Sequence, residues 1–172
     1  MIKIEDIKAY FGDACKIFPK AKAEIDNKLS IKTKKILYEI GFPNYKGYGG
    51  DYVMLDNLQL IDNQYLQFAT RDFDEDYYKE CIDLKTGKVV FNLSYDGNKN
   101  YYVLNSDLES YLMYVYVYVK FRLEVKIPEA LGDYDKNHSK YAKELKNRLL
   151  QVNKDVNDGD WANLIEEMDL GV

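Results

Sequence analysis

The chain has 172 residues, of which 47% are hydrophobic and 31% charged, and its formal net charge is −5 at neutral pH. This length predicts one domain, residues 1–172, with a sizeable buried core, and this composition is that of a globular protein. The acidic balance disfavours nucleic acid as a partner, because phosphate binding needs a positive surface. A basic partner protein fits the sign of the charge better.

The beginning of the chain carries no recognisable targeting segment. Its first ten residues include Glu5 and Asp6 and no unbroken apolar core, unlike a secretory signal or a transit peptide. The longest apolar run, residues 111–119, is far shorter than the roughly 20 residues that cross a bilayer as a helix. We therefore expect a cytoplasmic protein in which Cys15 and Cys81 are free, buried thiols.

The amino-terminal part of the chain suits short helices. Apolar residues at helical spacing predict a first helix over residues 2–11, which Gly12 can end. Residues 13–29 are open between a turn of helix and an extended arm, because Pro19 restricts the backbone without deciding between them.

A clearer helix is predicted over residues 31–40. Ser30 precedes it as a capping residue, and Gly41 can end it by turning the chain towards a sheet. The residues expected on its buried face are Ile31, Ile36, Leu37 and Ile40.

The middle of the chain reads as a series of short strands separated by polar turns. The predicted strands are residues 52–58, 64–70, 77–84, 88–94 and 100–104. Residues 85–87 and 96–98 suit hairpin connections, so most neighbouring strands should be antiparallel. We expect an α+β fold with a mainly antiparallel, twisted sheet of about five to six strands and helices packed around it.

Residues 106–121 give conflicting signals. Valines and tyrosines alternate over residues 114–119, as they would in a strand. In contrast, Ser106 and Glu109 have the spacing of a capping box, in which each side chain accepts a hydrogen bond from the other residue's backbone N–H. We favour a helix that is buried on more than one side. Two further amphipathic helices are predicted over residues 135–152 and 158–170.

Motifs for catalysis are missing from the sequence. His138 is the only histidine and is expected to face solvent, so histidine-based triads and two-histidine metal sites are excluded or need unusual variants. No G-x-S-x-G elbow or P-loop is present. We expect neither enzyme activity nor a metal or cofactor, although a carboxylate-based hydrolase stays open because 29 acidic residues allow two to meet in space.

The densest charge lies between two predicted strands, where acidic and aromatic residues alternate. A solvated loop is one interpretation. The other is a partner-binding surface, since tyrosines supply contact area and acids steer a basic partner. An EF-hand site is disfavoured, because the segment lacks the required glycine and terminal glutamate. The candidate partner-binding residues are Asp72, Phe73, Asp74, Glu75, Asp76, Tyr77 and Tyr78.

Four local motifs occur in an order and spacing that resemble one known family. They are Ile40-Gly41-Phe42-Pro43, residues 82–89 (IDLKTGKV), residues 103–109 (VLNSDLE), and Trp161 with residues 165–168 and Gly171. This combination is similar to the SUKH superfamily (Smi/Knr-like fold), and most closely to its bacterial immunity-protein branch. The resemblance extends from about residue 30 to the end of the chain and does not include residues 1–29.

The resemblance implies a cytoplasmic α+β protein that binds and neutralises a cognate polymorphic toxin, commonly a nuclease or a deaminase. Such proteins act by occlusion and not by catalysis. The matching residues also have turn, cap or core roles, so they indicate the fold and do not locate the toxin surface. The alternatives are a scaffold or regulatory protein-binding module of the same fold and, less favoured, the carboxylate-based hydrolase.

Overall fold

The computed structural model describes residues 2–47, 50–72, 78–95, 98–125 and 137–171. A small antiparallel sheet pairs Cys15–Lys16 (β1) with Phe42–Pro43 (β2). The main sheet has six antiparallel strands, each hydrogen bonded to the next along the chain. These strands are Tyr45–Gly47 (β3), Gly50–Ile61 (β4), Tyr65–Arg71 (β5), Tyr78–Asp83 (β6), Val89–Tyr95 (β7) and Asn98–Asn105 (β8).

Helices pack against this sheet, so the predicted α+β class with a mainly antiparallel sheet is confirmed. The α-helices of the described residues are Ile4–Phe11 (α1), Ala23–Asp26 (α2), Ile31–Lys35 (α3), Leu108–Val125 (α4), His138–Leu150 (α5) and Gly159–Leu170 (α6). The two hairpin connections are also confirmed, since β6 pairs with β7 and β7 with β8. None of these helices combines the length and apolar character needed to cross a bilayer.

The ambiguous valine and tyrosine run forms helix α4, as favoured. Its buried residues occupy more than one side because the sheet and other helices pack around it; they are Leu108, Ser110, Tyr111, Leu112, Tyr114, Val115, Val117, Tyr118 and Phe121. The prediction that Ser106 caps this helix was wrong by one position. Asp107 caps the helix by accepting from the Ser110 N–H (2.7 Å), whereas the Ser106 hydroxyl donates to Asp155 (3.0 Å).

The helix predicted over residues 31–40 is present, but its second half has the wider π-helical turn, over Ile36–Ile40. Ser30 caps it as predicted, by accepting from the Thr33 N–H (3.0 Å). The prediction that Ile31 is buried was wrong, because its side chain is 87% exposed. Thr33 is the buried residue of the first turn, and the change of helical turn at Ile36 breaks the regular spacing on which the prediction relied.

The segment left open by the sequence contains a short 3₁₀ turn, Gly12–Ala14, followed by β1 and α2. Phe18 anchors it, because its side chain is buried and its N–H donates to the Leu37 carbonyl (2.9 Å). Both cysteines are free thiols as expected, but only Cys81 is fully buried; Cys15 is half-buried.

The core lies between the helices and one face of the sheet, and the sheet also curls over its opposite face. The rings of Tyr65 on β5 and Tyr101 on β8 stack with centroids 3.6 Å apart, although β6 and β7 lie between their strands. Lys99 of β8 also forms an ion pair with Asp62, which follows β4; its Nζ lies 2.7 Å from the Asp62 carboxylate. As a result the centre of this second face is shielded as well, and Cys81 is fully buried on it.

Gly41 connects the π-helical turn to β2 and has two independent reasons to be glycine. Its φ is +82°, and an added Cβ would lie 2.6 Å from the Lys16 carbonyl oxygen. Gly87 has a similar φ of +77° but open space around it. Gly41 also has a ψ of 177°, a combination of angles essentially confined to glycine, so backbone strain and steric overlap act together at this position.

We expect Gly87→Ala to lower the free energy of unfolding by roughly 1 kcal/mol, the usual cost of a left-handed backbone. Gly41→Ala should cost at least about 1 kcal/mol more, because β1 must also move away. Urea denaturation of the two variants and the wild type measures the difference. Equal losses would show that the contact between Gly41 and β1 is not tight.

Candidate functional site

The structure describes two of the candidate partner-binding residues, Asp72 and Tyr78, while residues 73–77 lie outside the described part. Asp72 is exposed in the turn that follows β5. Tyr78 was wrongly expected on the surface: it is 1% exposed, and its ring stacks on Phe91 with centroids 5.3 Å apart. The reason is the alternation of side chains along β6, which directs Tyr78 into the core together with Glu80.

Asp51, at the start of β4, lies beside Asp72. The Asp72 N–H donates to the Asp51 carbonyl (3.0 Å), and the Asp51 N–H donates to the Asp72 carboxylate (3.3 Å). Both residues are exposed, and no ion pair between described residues includes either of them. We call Asp51 and Asp72 the acidic pair; the backbone holds the two residues together, and exposed Lys46 of β3 is the cross-strand partner of Asp51.

Arg71 holds the chain in place directly before Asp72. Its guanidinium lies over the Tyr78 ring, 4.3 Å from the centroid, and donates to the Tyr52 hydroxyl (2.9 Å). The Arg71 charge is thus directed inwards onto two aromatic rings, where a cation is favourably placed. The acidic pair therefore projects from a fixed part of the sheet.

A carboxyl group, Glu80, is buried below this region with 1% exposure. The Tyr111 hydroxyl donates to its Oε2 (2.6 Å) and the Tyr78 hydroxyl to its Oε1 (3.2 Å), while the Tyr45 and Tyr111 hydroxyls are 3.1 Å apart. Burial raises the pKa of Glu80 to about 7, and the two tyrosine hydrogen bonds oppose only part of that rise. The group can therefore change charge near neutral pH.

Glu80 shares a small cavity with a second carboxyl, Asp160, at the start of α6. Burial also raises the pKa of Asp160, and the nearby Arg71 opposes that rise. The cavity has a volume of about 20 Å³, which is enough for one water molecule. Its lining residues are Tyr45, Gly47, Tyr52, Tyr78, Glu80, Leu104, Tyr111, Tyr118, Asp160, Trp161 and Leu164.

A larger, open groove of about 710 Å³ lies where α1, α3 and the start of α4 meet. Ion pairs join its walls, from Lys32 to Glu109 (2.8 Å) and from Lys35 to Glu5 (2.9 Å). Because basic and acidic groups neutralise each other here, the groove lacks the single sign of charge that the acidic pair carries.

Other residues considered for chemistry have no arrangement that supports it. Burial raises the pKa of the Cys81 thiol to about 12, so its reactive thiolate is disfavoured. His138, which was expected to face solvent, is half-buried at the first position of α5. Within the described ranges, no cluster of three or more His, Cys, Asp or Glu residues is suited to hold a metal ion.

Sequence reasoning missed Asp51, Glu80 and Asp160. Asp51 could have been found, because antiparallel pairing of the first two predicted strands places the start of one beside the end of the other. No sequence signal brings Glu80 and Asp160 together, since their shared cavity depends on how α6 packs over the sheet.

Comparison with known proteins adds no identification. No family model, curated protein or solved structure matches the chain. Membership of the SUKH superfamily therefore stays a prediction that rests on the sequence motifs.

We expect Tyr111→Phe to lower the free energy of unfolding by about 2 kcal/mol at pH 8, because an ionised Glu80 would lose its shortest, charge-assisted hydrogen bond. Tyr78→Phe, which removes the longer bond, is the matched comparison and should cost less. Urea denaturation at pH 8 measures both values. The network would be unimportant for stability if both variants unfolded at the wild-type urea concentration.

Proposed function

We propose that the chain is a non-enzymatic immunity protein that binds a cognate toxin of nuclease or deaminase type in the bacterial cytoplasm and neutralises it by occlusion. The motif resemblance to the SUKH immunity-protein branch supports this class of function. The observation that supports the position of the binding surface is the acidic pair. Its exposed charges project from a backbone that Arg71 holds in place.

The charge of this surface suits such a toxin. Enzymes that act on nucleic acids bind a polyanion, so their substrate surface is positive. An acidic surface on a partner attracts that region and speeds encounter, and it covers the substrate site once bound. Anchoring by Arg71 reduces the conformational entropy lost on binding. The sequence adds three more acidic residues, Asp74, Glu75 and Asp76, shortly after Asp72.

Co-expression with the toxin encoded by the neighbouring gene tests this proposal. The chain should restore growth and form a complex with the toxin domain that elutes as one species in gel filtration. Absence of both rescue and complex would overturn it. A gene neighbourhood without any secreted toxin would favour the alternative of a scaffold or regulatory module that binds another basic protein.

The cavity shared by Glu80 and Asp160 favours a second candidate, the carboxylate-based hydrolase, because such enzymes place two carboxyl groups around one reacting bond. A cavity for one water molecule cannot hold a substrate, so this function would require α6 to move. Release of nitrophenol from nitrophenyl glycosides by the wild type, lost in both Glu80→Gln and Asp160→Asn, would support the hydrolase over the immunity protein.

We expect the double variant Asp51→Lys/Asp72→Lys to slow association with the toxin by about tenfold or more and to weaken the dependence of the association rate on salt. Its melting temperature should stay near that of the wild type, because both side chains are exposed. Surface plasmon resonance at several salt concentrations measures the rates.

The matched control is Asp13→Lys/Glu24→Lys, which reverses two exposed acidic residues elsewhere and changes the net charge equally. If both double variants slowed association to the same extent, the effect would come from total charge. The acidic pair would then have no specific role in binding.

A further inference from the structure

The surroundings of Glu80 suit a neutral carboxylic acid better than a carboxylate. Among the described residues, its only hydrogen-bond donors are the hydroxyls of Tyr78 and Tyr111, and no lysine or arginine lies within hydrogen-bond distance. An ionised carboxylate can accept about four hydrogen bonds, so the two tyrosine hydroxyls meet roughly half of its capacity. A protonated acid accepts fewer and can donate one itself.

The charges around Glu80 also disfavour its ionisation. Arg71 is the nearby cation, but its guanidinium donates to Tyr52 and not to Glu80. Asp160 adds a like charge across the cavity. The titratable groups that face Glu80 from the packed elements are Tyr45 of β3, Tyr52 of β4, Arg71 of β5, Tyr78 of β6, Tyr111 and Tyr118 of α4, and Asp160 of α6.

Helix α6 supplies one wall of the cavity, and the other walls belong to the sheet and to α4. Three residues of α6 line the cavity: Asp160, Trp161 and Leu164. The helix begins at Gly159, whose φ of +69° and close approach to the Val103 carbonyl leave no room for a side chain. The hydrogen bond from the Trp161 indole to Asn105 (2.9 Å) holds the helix start to β8, and edge-on contacts of the same ring with Tyr114 and Tyr118 hold it to α4.

We propose that Glu80 is a protonation-controlled latch: its neutral carboxyl lets α6 close over the cavity, and its ionisation opens the cavity at Trp161. The ionised group needs more hydrogen bonds than the one water molecule that fits a cavity of about 20 Å³ can supply, and it repels Asp160 on the α6 wall. The latch is a property of the fold and does not depend on the identity of a partner.

The direction of the pH dependence follows from the raised pKa. Glu80 ionises near pH 4.5 when the chain is unfolded and near 7 when it is folded. Its proton therefore stabilises the fold fully below about pH 4.5, and this stabilisation is lost as the pH rises through 7. The latch is closed in mildly acidic solution and opens above neutral pH.

Trp161 is the only tryptophan of the chain, so its fluorescence reports on the wall that moves. We expect the wild-type emission maximum to shift to the red between pH 5 and 9, with a midpoint near 7. Glu80→Gln should abolish the transition, while the exposed control Glu166→Gln should keep it. Asp160→Asn should move the midpoint to lower pH, because it removes the like charge that opposes ionisation of Glu80.

Stability gives a second, independent measurement. Between pH 5 and 8 the unfolding equilibrium constant of the wild type should rise by roughly 50-fold relative to that of Glu80→Gln. Circular dichroism establishes that the variant is folded before either comparison is made. A flat wild-type emission curve, or a transition that persists in Glu80→Gln, would overturn the latch.

Discussion

The burial of one carboxyl group, Glu80, constrains the arrangement of the elements around it. A buried carboxyl is tolerated only where donors are placed for it, and here they come from Tyr78 on the same strand and from Tyr111 on α4. The hydroxyl of Tyr45 on β3 joins the same network, 3.1 Å from that of Tyr111. The register of β6, the rotation of α4 and the position of the edge strand β3 are therefore coupled through one polar centre.

Tyr78 connects this centre with the proposed binding surface. Its hydroxyl contacts Glu80, and the face of its ring carries the Arg71 guanidinium. Arg71 directly precedes Asp72 of the acidic pair. The Tyr78 ring therefore lies between the Glu80 carboxyl and the end of β5 that carries Asp72. This contact explains why a tyrosine that looked like a surface residue in the sequence is buried. Tyr78 supports the acidic pair through Arg71, but its own side chain is not part of the exposed surface.

Much of the fold follows from local sequence, and the errors occur where long-range packing decides. Strand alternation and turn residues located β4 to β8 within a few residues, and the polar residues before α4 outweighed its strand-like valines. In contrast, Asp107 and not Ser106 caps α4, because Asp155 from a distant turn binds Ser106. Ile31 is exposed because the first turn of its helix buries Thr33 instead, and the π-helical turn that follows changes the spacing of the buried face. The spacing of residues along the sequence predicts neither the contact between Ser106 and Asp155 nor the exposure of Ile31.

The candidate site was less predictable than the fold for the same reason. The acidic segment was visible in the sequence, but its extension by Asp51 required the strand register, and the cavity of Glu80 and Asp160 required the packing of α6. The two features differ in what they can do. The acidic pair is exposed and takes part in no ion pair between described residues, which suits recognition of a basic surface. The carboxyls of the cavity enclose space for one water molecule, which suits a change of protonation and not the binding of a substrate.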